Sequence, residues 1–125
     1  MEKAKIQSFT DLGVWKEGHK LVLMVYRATR SFPKEEIFGL TSQLRRAVVS
    51  VTSNIAEGFS RSSLKEKMQF YFIAKGSLTE TQSQLLIARD VGYLEEGPFK
   101  ELSDQVIRVG KILTGLMRAT RNLIM

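Results

Sequence analysis

The stretch that decides the fold is LTSQLRRAVVSVTSNIAEG, residues 40–58. Its apolar side chains recur every three or four residues, the period of an amphipathic helix: Leu40, Leu44, Val48, Val51 and Ile55. Because Val, Ile and Thr are weak helix formers, this helix depends on packing against its neighbours. The pattern therefore predicts a helix over about 41–57 in a helical core, with Gly58 as its left-handed cap.

A second stripe, which we call the polar stripe, runs beside the apolar one. Its members lie within roughly 80° of one helix face: Gln43, Arg46, Ser50, Asn54 and Glu57. Such a stripe can be a simple solvent boundary, but we favour a hydrogen-bonded seam between helices or subunits, with Arg46 and Glu57 satisfying each other or a neighbour's charges. A catalytic role for Glu57 is disfavoured because no nucleophile or base accompanies it at an obvious spacing.

Prolines and glycines divide the rest of the chain into three more helical segments. Pro33 and Pro98 are the only prolines, and Gly39, Gly92 and Gly97 lie near the same breaks. Helices are predicted over about 12–31, 41–57, 63–91 and 98–122, with Pro98 at the first helical position of the last. Since short connections make neighbouring helices antiparallel, we expect an all-α, up-down antiparallel four-helix bundle in a single domain over residues 1–125.

The composition restricts the chemistry that the chain can perform. It has 125 residues, no Cys and one His, so disulfides, Cys-based zinc sites and Cys nucleophiles are excluded. No phosphate-loop, dinucleotide-binding, nucleophile-elbow or zincin motif is present. The longest apolar run, residues 21–26, is far shorter than the roughly 20 residues that span a bilayer. We expect no enzymatic activity, no metal, no cofactor and no membrane partner.

The charge favours acidic partners. The net charge is +6, and the last helical segment has no Asp or Glu from Gln105 onward. Its cations can be a solvated face placed toward the negative end of the helix dipole, or a stripe that binds phosphates. The candidate nucleic-acid-binding residues are this segment's later cations and one cation of the second segment: Arg108, Lys111, Arg118, Arg121 and Arg45.

Residues 21–26 and 70–74 are apolar on every side of their helices. A helix in a monomeric bundle buries one stripe, so these segments indicate contact with a second copy and thus a homo-oligomer. The alternative is a monomer with a wide middle layer. The candidate interface residues are Val22, Leu23, Phe70 and Phe72.

Residues 32–58, together with IAKGSLTE at 73–80, closely resemble the small four-helix-bundle family encoded by intervening sequences within bacterial 23S rRNA genes. The family signature falls on the polar stripe and four further residues: Gly58, Gly76, Ser77 and Glu80. The resemblance covers nearly the whole chain. It implies a ring-like homopentamer in the cytoplasm of a bacterium. The family is also similar to the accessory subunits of diversity-generating retroelements, which are basic pentamers that bind nucleic acid and a reverse transcriptase.

Two functions remain open at this point. The first is a non-enzymatic, homo-oligomeric bundle that binds RNA or another nucleic acid through basic faces, without sequence readout. The alternative is a protein-interaction scaffold, an accessory subunit with no direct nucleic-acid binding, whose positive charge serves solubility alone.

Overall fold

The computed structural model describes residues 5–124, which contain four long helices and no strand. The helices are α1 (Gly13–Thr29), α2 (Leu40–Ser60), α3 (Leu64–Asp90) and α4 (Glu96–Ile124). Two short 3₁₀ turns, Phe9–Asp11 and Lys34–Glu36, precede α1 and α2. The predicted all-α class and the four helices are confirmed. No helix in the described part of the chain combines the length and the apolar character that crossing a membrane requires.

The four helices pack side by side as a bundle. Each contacts two neighbours, and within residues 5–124 neither α1 and α3 nor α2 and α4 approach each other closely. The end of α1 meets the start of α2, where Arg45 Nε donates to Thr29 Oγ1 at 2.8 Å. The end of α2 likewise lies beside the start of α3, at Gly58 and Tyr71. The end of α3 meets the start of α4, where the Arg89 guanidinium lies 4.6 Å from the Phe99 ring centroid, so successive helices run antiparallel.

The core is apolar and draws on every helix. The apolar stripe of α2 supplies four of its best-buried members, and Leu40 packs at its edge. Its large, fully buried side chains are Leu21, Val25, Leu44, Val48, Val51, Ile55, Leu85, Val109 and Leu113. Burial of each Leu, Ile or Val contributes about 1.5–3 kcal/mol, which outweighs the poor intrinsic helicity of α2.

Gly58 is not the left-handed cap that the sequence predicts. Helix α2 continues to Ser60, and the one positive φ among the described residues belongs to Gly92 (89°), at the predicted end of α3. Gly58 lies inside α2, and this position requires glycine because a side chain has no room there: a Cβ would be 2.6 Å from Tyr71 Cε1. The end of α2 is instead capped by Lys67, whose Nζ donates to the carbonyl oxygens of Gly58 and Phe59 at 3.4 Å and 2.7 Å.

Helix α4 begins earlier than predicted, at Glu96, so Pro98 is at its third position rather than its first. This is permitted because the first-turn N–H groups have no partner within a helix in any case. The preceding connection is fixed by Tyr93, whose hydroxyl donates to Glu36 Oε2 at 2.8 Å. The backbone N–H of Leu40, and then this hydroxyl, hold the pKa of Glu36 below its usual value.

The contact between Gly58 and Tyr71 can be tested with two glycine substitutions. We expect Gly58→Ala to lower the free energy of unfolding by about 1–3 kcal/mol, because the buried Tyr71 ring cannot move away from the new methyl group. Gly76→Ala is the matched control. It adds the same methyl group inside α3 with no atom within 4 Å, so it should raise the free energy by up to about 1 kcal/mol. Urea denaturation measures both, and equal effects would contradict this account of Gly58.

Candidate nucleic-acid interface

Four of the five predicted nucleic-acid contacts lie along α4 and are exposed: Arg108, Lys111, Arg118 and Arg121. We call these four residues the basic face. Arg108 Nε forms an ion pair with Glu17 Oε1 of α1 at 2.9 Å. The other three have no ion-pair partner within residues 5–124. Most of the charge of the basic face is therefore available to an external anion.

The structure does not bring Arg45 together with the basic face. Arg45 is on α2, which does not contact α4 among the described residues. Its guanidinium lies over the ring of Tyr26, 4.7 Å from the centroid, while its Nε is bonded to Thr29. Half-buried in this way, Arg45 joins α1 to α2.

A groove of about 510 Å³ runs between α3 and α4. We call it the α3–α4 groove. Lys75 of α3 borders it together with Lys111 and Arg118 of α4, and none of its lining residues is acidic. Its apolar lining includes Leu78, Val106 and Leu113. Sequence reasoning missed Lys75 because α3 has no single polar side from which a basic stripe could be recognised.

The centre of the polar stripe is a hydrogen-bonded seam between α2 and α3, as the sequence favours. Ser50 Oγ lies 2.8 Å from Ser77 Oγ of α3. Asn54 Nδ2 donates to Ser50 Oγ at 3.0 Å and to the Ser50 carbonyl oxygen at 2.8 Å. We call these three residues the polar seam. It satisfies three polar side chains at a helix contact where they are partly screened from water.

The outer members of the stripe face solvent. Glu57 pairs at 3.1 Å with Arg61, the residue that follows the end of α2, and not with Arg46. Glu80 Oε1 accepts a bond from Gln84 Nε2 at 3.2 Å, and Arg46 has no ion-pair partner in the described part of the chain. Gly76 is exposed with no atom near its missing side chain, so no contact within one chain explains that glycine.

The predicted interface residues divide into two kinds. Leu23 and Phe72 are 50% and 52% exposed, whereas Val22 and Phe70 are half-buried. Phe70 carries the guanidinium of Arg61 over its ring at 4.7 Å. Since α1 and α3 occupy diagonal corners, Leu23 and Phe72 project from opposite sides of the bundle.

No reactive centre is formed by the single histidine. His19 is exposed and stacks on Trp15, with ring centroids 4.7 Å apart. Within residues 5–124, no three His, Asp or Glu side chains come together as a metal site requires.

The comparisons with known proteins agree with the helical fold. The model of a family described as "23S rRNA-intervening sequence protein" matches residues 10–115. A crystal structure from Bacteroides thetaiotaomicron VPI-5482, of a protein with unknown function from the S23 ribosomal protein family, superposes with a TM-score of 0.77. It is 17% identical, and the alignment covers 84% of this chain and 95% of that one, which shows a shared fold. A search of curated proteins gave no match.

The polar seam predicts energetic coupling between Ser50 and Ser77. In a double-mutant cycle of Ser50→Ala and Ser77→Ala, we expect a coupling free energy of about 0.5–1.5 kcal/mol, since Ser50→Ala removes the partner of the Ser77 hydroxyl and Ser77→Ala leaves the Ser50 hydroxyl with Asn54 alone. The control cycle replaces Ser53 and Ser83, two exposed serines on the same helices, and should give a coupling close to zero. Denaturation midpoints measure both cycles. Equal coupling in the two cycles would show that the seam adds nothing to stability.

Proposed function

The chain belongs to the family of 23S rRNA-intervening sequence proteins, and on that premise we propose that it is a non-enzymatic, homo-oligomeric bundle that binds RNA in the cytoplasm. The observation that carries the proposal is the basic face of α4. Exposed Lys and Arg side chains along one helix attract a nucleic acid whatever its nucleotide sequence, because they contact the charged phosphate backbone and not the base edges.

The distribution of charge supports a polyanionic partner. The chain carries +6 overall, and the described ion pairs leave three of the four basic-face cations uncompensated. In an oligomer these charges are repeated around the assembly, so a long phosphate backbone can contact several copies at once. Such binding depends strongly on salt, because each contact releases counterions.

The apolar surface supports a ring. A closed ring uses two different surfaces of each protomer, whereas a two-fold dimer uses one surface twice. Leu23 on α1 and Phe72 on α3 provide two half-exposed apolar positions on opposite sides of the bundle. This arrangement suits the head-to-tail contacts of the homopentamer that we propose.

A protein-interaction scaffold is the second candidate, and one surface favours it. Phe38 is 96% exposed and Ile37 is 54% exposed, in the connection between α1 and α2. Ile37 borders a cleft of about 320 Å³ with Tyr26 and Val49. An exposed aromatic side chain beside an apolar cleft is a common anchor for a protein partner.

RNA binding through the basic face makes a quantitative prediction about salt. We expect replacement of all four basic-face residues by Gln to weaken binding of a single-stranded RNA and to reduce the slope of log affinity against log salt by about 3, at roughly 0.7 for each lost contact. Fluorescence anisotropy at several salt concentrations measures this slope.

The matched control removes the same charge from other surfaces. It replaces four exposed lysines by Gln: Lys16, Lys20, Lys34 and Lys65. Its slope should stay close to that of the unmodified protein. If the unmodified protein bound no RNA at low salt but captured a protein partner through Phe38, the scaffold function would be the correct one.

The ring proposal predicts that single charges on either apolar surface dissociate the oligomer. We expect Leu23→Asp and Phe72→Asp each to give smaller species, because a carboxylate cannot be buried unpaired at a subunit contact. Ile6→Asp is a control of similar exposure, 57%, outside the helices. Light scattering coupled to size-exclusion chromatography measures the mass. A monomeric unmodified protein at micromolar concentration would refute the ring.

A further inference from the structure

We propose that the α3–α4 groove binds an unpaired stretch of nucleic acid, with phosphates on its three cations and a base or sugar on its apolar lining. This inference rests on the proposed function and deepens it, because it gives the site and the conformation of the bound strand. It also adds Lys75, which is not part of the basic face. A groove of about 510 Å³ is within the range of about 300–1,000 Å³ that small-molecule sites occupy.

Charge is the first reason to assign a polyanion to this groove. Lys75 approaches from α3, and Lys111 and Arg118 approach from α4. None of the three has an ion-pair partner in the part of the chain that the structure describes. No acidic side chain lines the groove. Like charges that converge without a counter-charge repel one another, and a phosphate backbone relieves that repulsion.

The shape of the groove selects an unpaired strand. Helices α3 and α4 are in contact, so the groove lies between their outer surfaces, and its volume of about 510 Å³ is on the scale of a small ligand. Leu78, Val106 and Leu113 are buried beneath the groove, and Ile107, which also lines it, is 47% exposed and offers an apolar contact to a base that is not already stacked in a duplex. Gln82 and Thr114 add exposed hydrogen-bonding groups beside them. An unpaired base leaves its hydrogen-bonding edge and its faces free for such contacts, whereas a base in a duplex does not.

Two glycines provide an independent reason. Gly110 and Gly115 lie inside α4, where glycine is among the least favourable residues, and both line the groove. A Cβ at Gly110 would make an ordinary contact with Leu78 at 3.5 Å, and a Cβ at Gly115 would meet nothing within 4 Å. Packing within the chain therefore requires neither glycine. Their shared property is that they leave the groove open.

A second copy of this chain is the competing occupant, with Phe38 as the inserted side chain. Phe38 lies at the end of the bundle where α2 begins and α3 ends, whereas the groove lies about 15 Å away, along the middle of α3 at 1.5 Å per residue. In a ring whose axis is parallel to the helices, Phe38 of one copy and the groove of the next are at different heights. A phenyl ring meets at most one of the three cations in a cation–π contact and brings no counter-charge, whereas a phosphate backbone compensates all three, so we assign the groove to nucleic acid.

The experiment fills the groove without changing its charge. Fluorescence anisotropy is measured at low salt with a 12-nucleotide oligouridine, the corresponding oligothymidine and a 12-base-pair RNA duplex. The unmodified protein should bind the unpaired strands more tightly than the duplex. Gly115→Leu should weaken their binding at least tenfold while keeping or raising the thermal midpoint, since leucine is the better helix former. Gly115→Ala, which adds one methyl group in open space, should change binding by less than threefold.

A charge variant tests the same site in a second way. Lys75→Gln should lower the salt slope for oligouridine by about 0.7. Lys65→Gln, which changes an exposed lysine at the start of α3 that does not line the groove, should leave the slope unchanged. The ratio of affinities for oligouridine and oligothymidine distinguishes RNA from DNA as the source of the strand.

Three results would overturn the proposal. Tight binding by Gly115→Leu together with an unchanged slope for Lys75→Gln would exclude the groove and leave RNA binding through the basic face intact. A preference for the duplex would exclude an unpaired strand. Dissociation of the oligomer by Gly115→Leu would assign the groove to a second copy. Absence of binding to every probe by the unmodified protein would instead remove the proposed function itself.

Discussion

The structure depends on the contact between α2 and α3. Helix α2 contains a run of Val, Ser and Thr residues that would not stay helical in water by themselves, so it must be held by its neighbours. Its apolar stripe faces the core, and its flank meets α3 through the polar seam. At its end, Gly58 lets the two backbones approach until the Tyr71 ring fills the space of a side chain. A single pairing thus combines apolar burial, hydrogen bonding and close approach.

The sequence predicts much of this fold because its main signals are local. The period of the apolar residues predicts which side of α2 is buried, and Gly92 lies at the predicted end of α3, where its φ is positive. The predicted roles of Gly58 and Pro98 at helix ends are wrong. Gly58 lies inside α2 because of its tertiary contact with Tyr71, and Pro98 fits at the third position of α4 because the N–H groups of the first turn have no partner within the helix. Neither the contact with Tyr71 nor the exact start of α4 can be predicted from the residues next to Gly58 or Pro98.

The candidate site is harder to predict because it is built from two helices at once. The cations of α4 are visible in the sequence as a stripe. Lys75, in contrast, is on α3, where polar and apolar residues occur at both exposed and buried positions. Only the packing of α3 against α4 places Lys75 on the same groove as Lys111. Arg45 shows the converse error. It is a cation of suitable type whose guanidinium is already engaged by Tyr26 and Thr29.

Assembly and nucleic-acid binding are coupled in the proposed protein by the position of α3. Phe72, at the proposed subunit contact, is three residues from Lys75 at the groove, and on a helix residues three apart are neighbours. A ring that buries Phe72 therefore brings each groove to the border of the next copy and removes water from its edge. Both effects strengthen the attraction of the groove cations for phosphate, because charges interact more strongly where water is excluded. Oligomerisation thus raises the affinity of each groove in addition to multiplying the number of grooves. A monomeric variant is therefore expected to lose affinity at each groove as well as avidity.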